Sequence, residues 1–271
     1  MVGMKKIGIV GGVAWPSTVD YYTEICRRSE QWYSARNMQA SSFAPEMSIE
    51  SLSLSKALSY IGVDGDEQSW QRFDEYHRAS LQRLQASGAE FAAIASNTPH
   101  HRFDAIVRGI EIPVIDIFKS VAEEAARAQV SEALILGTPL TMQSRRFQEE
   151  FEKHGIRAAG PRDEVSRAMT SALIKDLQMG KDEGAEERLM QIVKMASDRQ
   201  LSVQPAVCLA CTELPLALHN KKNLASFEYE DFIYINSSAA HINAIVDFAT
   251  MSENELPTAI SQSCNVREVI L

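Results

Sequence analysis

KKIGIVGG (residues 5–12) and EALILGT (residues 132–138) decide how this chain is read, because each is a short apolar run that stops on small residues. A run of that length, closed by glycine, suits a strand buried on both faces. Beyond the first, Ser17 or Thr18 is placed to cap a helix through VDYYTEICRRSE. Residues 67–87 then carry Trp70, Phe73, Tyr76, Leu81 and Leu84 at helical spacing, with Gly88 as the stop. AEFAAIAS leads into a second strand, and EIPVIDI (residues 111–117) is a third, followed by a helix through VAEEAARAQ.

From Glu132 the series restarts. A helix through MQSRRFQEEFEKHG ends at Gly155, and further helices cover about residues 164–179 and 183–199. AVCLACTELP (residues 206–215) echoes AIASNTP (residues 93–99), and FIYINSS (residues 232–238) echoes PVIDI. Short β-rich runs alternating with long amphipathic segments define an α/β chain with parallel sheets. The repetition predicts two pseudo-symmetric, doubly wound, flavodoxin-like domains whose strand C-termini line one cleft, where ligands bind in such sheets. The expected division gives residues 1–116 and 239–271 to the first domain, with the last helix AAHINAIVDFATM returning to it, and residues 117–238 to the second.

Composition narrows the function classes. The 271 residues are 45% hydrophobic and 23% charged, as in ordinary globular proteins. A net charge of −9 offers no basic surface to phosphate backbones, so nucleic acid is not an expected partner. The opening apolar run, Ile7 to Val10, is too short for a signal core, and no stretch reaches the length of a membrane span. Four scattered cysteines (Cys26, Cys208, Cys211 and Cys264) argue against a disulfide framework and for a reducing cytoplasm. The tail from Ser252 is polar with a mildly apolar end.

Cys211 falls where a strand should give way to a helix, so unpaired backbone N–H groups would favour its thiolate. The bland reading is a small core residue. Cys208, three residues earlier, gives the spacing of a redox pair or half a zinc site, but no second Cys-x-x-Cys exists. In an extended strand the two sulfurs would point to opposite faces, so no metal is expected. Gly11 and Gly12 invite a nucleotide-loop reading, yet Ala14 stands where the next pattern glycine would fall. They suit a tight turn or close backbone approach to a small substrate. Trp15 beside them either packs or lines the cleft.

Four strings in order, IGIVGGVAWPSTVDYY, SNTPHHRFDAI, ILGTPLTMQSRRF and CTELPL, resemble the aspartate/glutamate racemase family of pyridoxal-phosphate-independent enzymes over about residues 5–249. The resemblance implies two α/β domains around a cleft, no cofactor, frequent homodimers, and two opposed thiols that take and return the α-proton of an acidic amino acid. It makes Cys211 the second-half thiol. Where the family's first-half cysteine precedes Asn-Thr, this chain has Ser96, and a hydroxyl is a much poorer base. Asn97 and Thr98 match the family's carboxylate-binding pair. Thr138 and Thr141 match its Gly-Thr-x-x-Thr, where a hydroxyl helps bind substrate; they could equally cap the next helix. Arg167 falls where a family cation grips the distal carboxylate, although an arginine on a helix is as often a solvated charge. Thr212 and Glu213 are placed to hold substrate or neighbouring groups. His100 matches the histidine of Asn-Thr-x-His, serving either a proton relay or the loop's structure. His241 keeps the place of a later family histidine, while Asn236-Ser237 stand where relatives often show Asp-Thr.

The expected activity is cofactor-independent racemisation or epimerisation of aspartate, glutamate or a relative, with Cys211 as main acid/base and Ser96 as the weaker opposing group. Two alternatives stay open: a one-cysteine decarboxylase- or isomerase-type enzyme on a dicarboxylate, and a catalytically weakened protein that binds an acidic ligand.

Overall fold

The structure, a computed structural model, describes residues 3–36, 44–198 and 206–252; Arg199, Cys264 and the tail beyond Ser252 lie outside the described residues. The chain forms two compact α/β units. One is drawn from the described residues of Met1–Ala95, Arg102–Asp116 and Ile242–Leu271, the other from those of Ser96–His101 and Ile117–His241. Residues 96–101, read from sequence as part of the first domain, are thus grouped with the second unit.

In the first unit, strands β1 (Ile7–Gly11), β2 (Met47–Ser51), β3 (Phe91–Ile94) and β4 (Val114–Ile115) form a parallel sheet in the order β2-β1-β3-β4. Its core joins Ile7, Ile9, Tyr21, Ile25 and Phe91 to Ile242, Ile245 and Phe248 of the last helix, Ser237–Thr250. The turn after β1 is built on Gly12 at φ 79°, where a Cβ would lie 2.3 Å from the Leu52 carbonyl oxygen. That leaves no room for any other residue. Neither Ser17 nor Thr18 caps the next helix, Trp15–Ser34, whose first turn holds Pro16 instead. The Thr18 hydroxyl accepts from Gly12 N at 2.8 Å and so secures the turn. Trp15 is 69% exposed and takes no part in the core. The segment from Glu67 opens as a 3₁₀ turn, continues as helix Gln71–Ala86, and ends on Gly88 at φ 83°. Ala89 N there reaches back to the Leu84 carbonyl at 3.1 Å, the closing bond of a left-handed cap.

The second unit holds β5 (Glu132–Gly137), β6 (Arg157–Ala159), β7 (Ala206–Ala210), β8 (Ser226–Tyr229) and β9 (Phe232–Asn236) in the order β6-β5-β7-β9-β8. All pairs are parallel except β8 with β9, which form an antiparallel hairpin at the edge. The hairpin turns at Glu230, φ 50°, without glycine, so its sequence carries no turn signal. The single helix read through residues 142–155 is two, Pro139–Gln143 and Arg145–Glu152. Ser144 separates them in an extended conformation and caps the second by accepting from Phe147 N at 3.3 Å.

Side chains alternate across β7 as a strand requires. Val207, Leu209 and Cys211 join Leu134, Leu136, Leu173 and Tyr234 in one cluster, while Cys208 and Ala210 join Phe118, Phe147 and Ile235 in another. The Phe118 and Phe147 rings stack at 4.0 Å. Cys208 and Cys211 therefore face opposite ways, and both are free thiols. Among the described residues no cluster of three or more metal-binding side chains forms, and no helix is long and apolar enough to cross a membrane.

Candidate active site

Parallel pairing aligns Gly137 of β5 with Ala210 of β7, and Leu209 of β7 with Asn236 of β9. Thr138, Cys211 and Ser237 therefore leave three neighbouring strands along one edge of the sheet. Close approach is possible because Gly137 lacks a side chain: a Cβ there would lie 2.7 Å from the Ala210 carbonyl oxygen. Residues 96–101 fasten onto this edge. Thr98 Oγ1 lies 3.1 Å from Thr138 Oγ1, and Asn97 Nδ2 donates to Ser237 Oγ at 2.9 Å. Asn97 is thus tied to the end of β9 and Thr98 to the end of β5. Those are the two strands flanking β7, whose end carries Cys211.

Thr138 also caps Pro139–Gln143, accepting from Thr141 N at 3.4 Å, and its hydroxyl lies 3.0 Å from Thr141 Oγ1. Thr141 is fully buried behind it. The capping role is therefore realised, and Thr98, Thr138 and Thr141 form one row of hydroxyls.

Cys211 is buried, and its thiol donates to Glu213 Oε2 at 2.9 Å. Thr212 Oγ1 donates to the same carboxylate at 3.3 Å. Burial, and then the adjacent Glu213 charge, push the Cys211 thiol well above its ordinary pKa; the N–H groups of Glu213 and Thr212 pull it down less strongly. The expected thiolate at a helix N-terminus is thus reversed. The next element along the chain is only the four-residue 3₁₀ turn Leu214–Ala217, and the charge nearest the sulfur is negative.

Ser96 is also buried, and its hydroxyl makes no hydrogen bond among the described residues. Its carbonyl accepts from His100 Nδ1 at 2.8 Å, which fixes the proton on that nitrogen because a carbonyl only accepts. His100 therefore holds the loop. Its ring lies 5.8 Å from that of His241, edge to face, and both are fully buried. His101 Nδ1 reaches Ser144 Oγ at 3.3 Å, a tie the sequence reading missed. Arg167 sits on helix Glu164–Gln178, and its Nη1 donates to the Pro161 carbonyl at 3.3 Å. Among the described residues no hydrogen bond joins it to the Thr138–Cys211–Ser237 edge.

Residues 10–245 match the family Asp/Glu/Hydantoin racemase. The chain belongs to that family. An aspartate racemase homologue from Pyrococcus horikoshii OT3 has a similar structure, at 27% identity and a TM-score of 0.69, with 92% of this chain and 100% of that one covered. Aspartate racemase from Picrophilus torridus (17%, TM-score 0.67, 90% and 94% covered) shares the fold. So does glutamate racemase from Francisella tularensis, solved with D-glutamate (13%, TM-score 0.58, 98% and 86% covered). In this member of the Asp/Glu/hydantoin racemase family, Asn236 has a structural reason. Its Oδ1 accepts from Ser238 N at 3.1 Å and Ala239 N at 3.3 Å, and its Nδ2 donates to the Lys222 carbonyl at 2.6 Å. An aspartate can cap the helix in the same way but has no N–H for Lys222. The racemase-family motifs gave no sign that Ser237 would anchor Asn97. The only signal was its place directly after a buried strand.

Proposed function

We propose that the protein is a cofactor-independent racemase or epimerase of aspartate, glutamate or a related acidic amino acid, with Cys211 as its main acid/base and Ser96 as the weaker opposing group. The observation that carries this reading is the fastening of Asn97 and Thr98 to β9 and β5, on either side of the strand that ends in Cys211. The D-glutamate in the Francisella tularensis relative supports the substrate class. In one direction Cys211 passes its proton to Glu213, and the resulting thiolate removes the α-hydrogen. The carbanion then takes the Ser96 proton on its other face, and the proton held on Glu213 returns to Ser96 through water, which restores both groups. The return direction starts from an alkoxide with no stabilising neighbour among the described residues, so kcat differs between the two directions while the unit equilibrium constant between enantiomers keeps kcat/KM equal. Asn97, Thr98, Thr138 and Thr212 bind the substrate's polar groups, and Arg167 its distal carboxylate. His100, His241 and Thr141 support the loop and strand ends from behind.

A second reading has its own observation. The Ser96 hydroxyl has no hydrogen-bonding helper among the described residues, whereas Cys211 has Glu213. That asymmetry suits chemistry on one face only, as in a one-cysteine isomerase or decarboxylase. Incubation with L- and D-aspartate and L- and D-glutamate in deuterium oxide separates the two. Racemisation gives inverted product labelled at the α-carbon. Label without inversion, or carbon dioxide release, would move the assignment to one-sided chemistry. Absence of both, with the ligand bound, would end the enzymatic reading.

A further inference from the structure

The side chains of Asn97 and Ser237 are both buried, and the bond between them has a direction that can be deduced. Ser237 Oγ lies 2.8 Å from the Leu209 carbonyl oxygen, which can only accept. The single hydroxyl hydrogen of Ser237 is therefore committed to Leu209, and only lone pairs remain for Asn97 at 2.9 Å. The amide must then turn its nitrogen to Ser237, which leaves Oδ1 on the other side. That oxygen is buried and has no hydrogen-bond partner among the described residues. Buried polar atoms are nearly always paired, and an orphan acceptor at a candidate site points to a donor that arrives with the ligand.

We propose that Ser237 is a positioning residue that locks the Asn97 amide in one orientation, so that Oδ1 receives the ammonium group of the ligand. The proposal rests on the acidic amino-acid reading above and deepens it. A carboxylate oxygen has no hydrogen to offer Oδ1 and is repelled by it. The Asn97 side-chain oxygen therefore selects for the amino group, although the family resemblance pairs Asn97 with Thr98 for carboxylate binding. Specificity arises because a ligand lacking the donor leaves the buried oxygen unpaired. Without the Ser237 hydroxyl the amide is free to flip, and the selection is lost.

Calorimetric binding of L-aspartate, D-aspartate and succinate to the full chain tests this, with Ser237→Ala and Ser237→Thr beside the parent. Succinate keeps both carboxylates and lacks only the ammonium. The parent should favour at least one aspartate enantiomer over succinate by about tenfold or more, the effect of one buried hydrogen bond to a charged group. Ser237→Ala should bring that ratio close to one, and Ser237→Thr, which keeps the hydroxyl, should restore it. In the ligand-free protein, the Asn97 side-chain NH₂ should exchange slowly with solvent in the parent and the threonine variant, and fast in the alanine variant. A folded Ser237→Ala protein that still prefers aspartate, or a parent that binds succinate equally well, overturns the proposal. Slow NH₂ exchange lost in Ser237→Ala, together with no binding of aspartate or succinate to the parent, would instead overturn the substrate reading and the ammonium assignment with it, while leaving the Ser237–Asn97 lock in place.

Discussion

The ends of β3 and β7 are written alike, Ala-Ser-Asn-Thr-Pro from residue 95 and Ala-Cys-Thr-Glu-Leu-Pro from residue 210, but they are finished differently. At residue 96 the polar contacts go to the backbone: His100 grips the Ser96 carbonyl, and the hydroxyl itself makes no hydrogen bond among the described residues. At residue 211 they go to the side chain itself, since the thiol is hydrogen-bonded to a carboxylate. Both positions are buried, so neither group ionises readily without a partner. Among the described residues only the cysteine has a partner that can take its proton. Related strand ends therefore need not be equipped alike, and the inequality is set by the side chains around the thiol and the hydroxyl.

The largest effect should come from removing the equipped side. Cys211→Ala is expected to lower interconversion of aspartate or glutamate enantiomers by at least about 10³-fold, followed by circular dichroism. A variant as fast as the parent would remove Cys211 from the mechanism. Next, Glu213→Gln should cost about 10²-fold in kcat. The same change should shift the pH at which iodoacetamide begins to alkylate Cys211. Burial and the Glu213 charge both raise the thiol, so losing the charge lowers its pKa while burial still holds it above the ordinary value. Alkylation should thus start at lower pH in the variant; an unchanged or higher onset would show that the carboxylate does not govern the sulfur. Third, Ser96→Cys should sharpen the symmetry by supplying a second thiol, raising turnover about tenfold and bringing the kcat values of the two directions closer together. If it leaves the ratio of forward to reverse kcat unaltered, the Ser96 position is not the limiting side. The smallest effect belongs to Asn236→Asp. It keeps the helix cap and loses the donor to Lys222, which should cost about 1 kcal/mol in urea unfolding and change turnover less than twofold.

The sheets were legible because buried strands announce themselves by composition. IGIVG, EALILG and AVCLA each end where small residues begin, and each forms the strand its pattern implies. Opposite facing of Cys208 and Cys211 came from the strand period alone. The hidden features were mostly long-range or decided by a single atom. Asn97 and Ser237 are 140 residues apart, and no local pattern reports their bond. Thr18 could have capped a helix but secures the Gly12 turn, a competition between two nearby N–H groups that periodicity does not resolve. Ser144 splits one amphipathic stretch into two helices because its hydroxyl caps the second, while the hydrophobic pattern runs on across the break. The raised Cys211 thiol depends on where the Glu213 side chain turns, and a sequence does not reveal that.

The row of hydroxyls at Thr98, Thr138 and Thr141 has a consequence for adaptability. Each hydroxyl carries one hydrogen on a rotating C–O bond, so the row can reverse its donor sense by rotation while the heavy atoms stay in place. Its outer end at Thr98 can then present a hydrogen to an anion or a lone pair to a cation. The row can thus match either sign of charge without any movement of the backbone behind it.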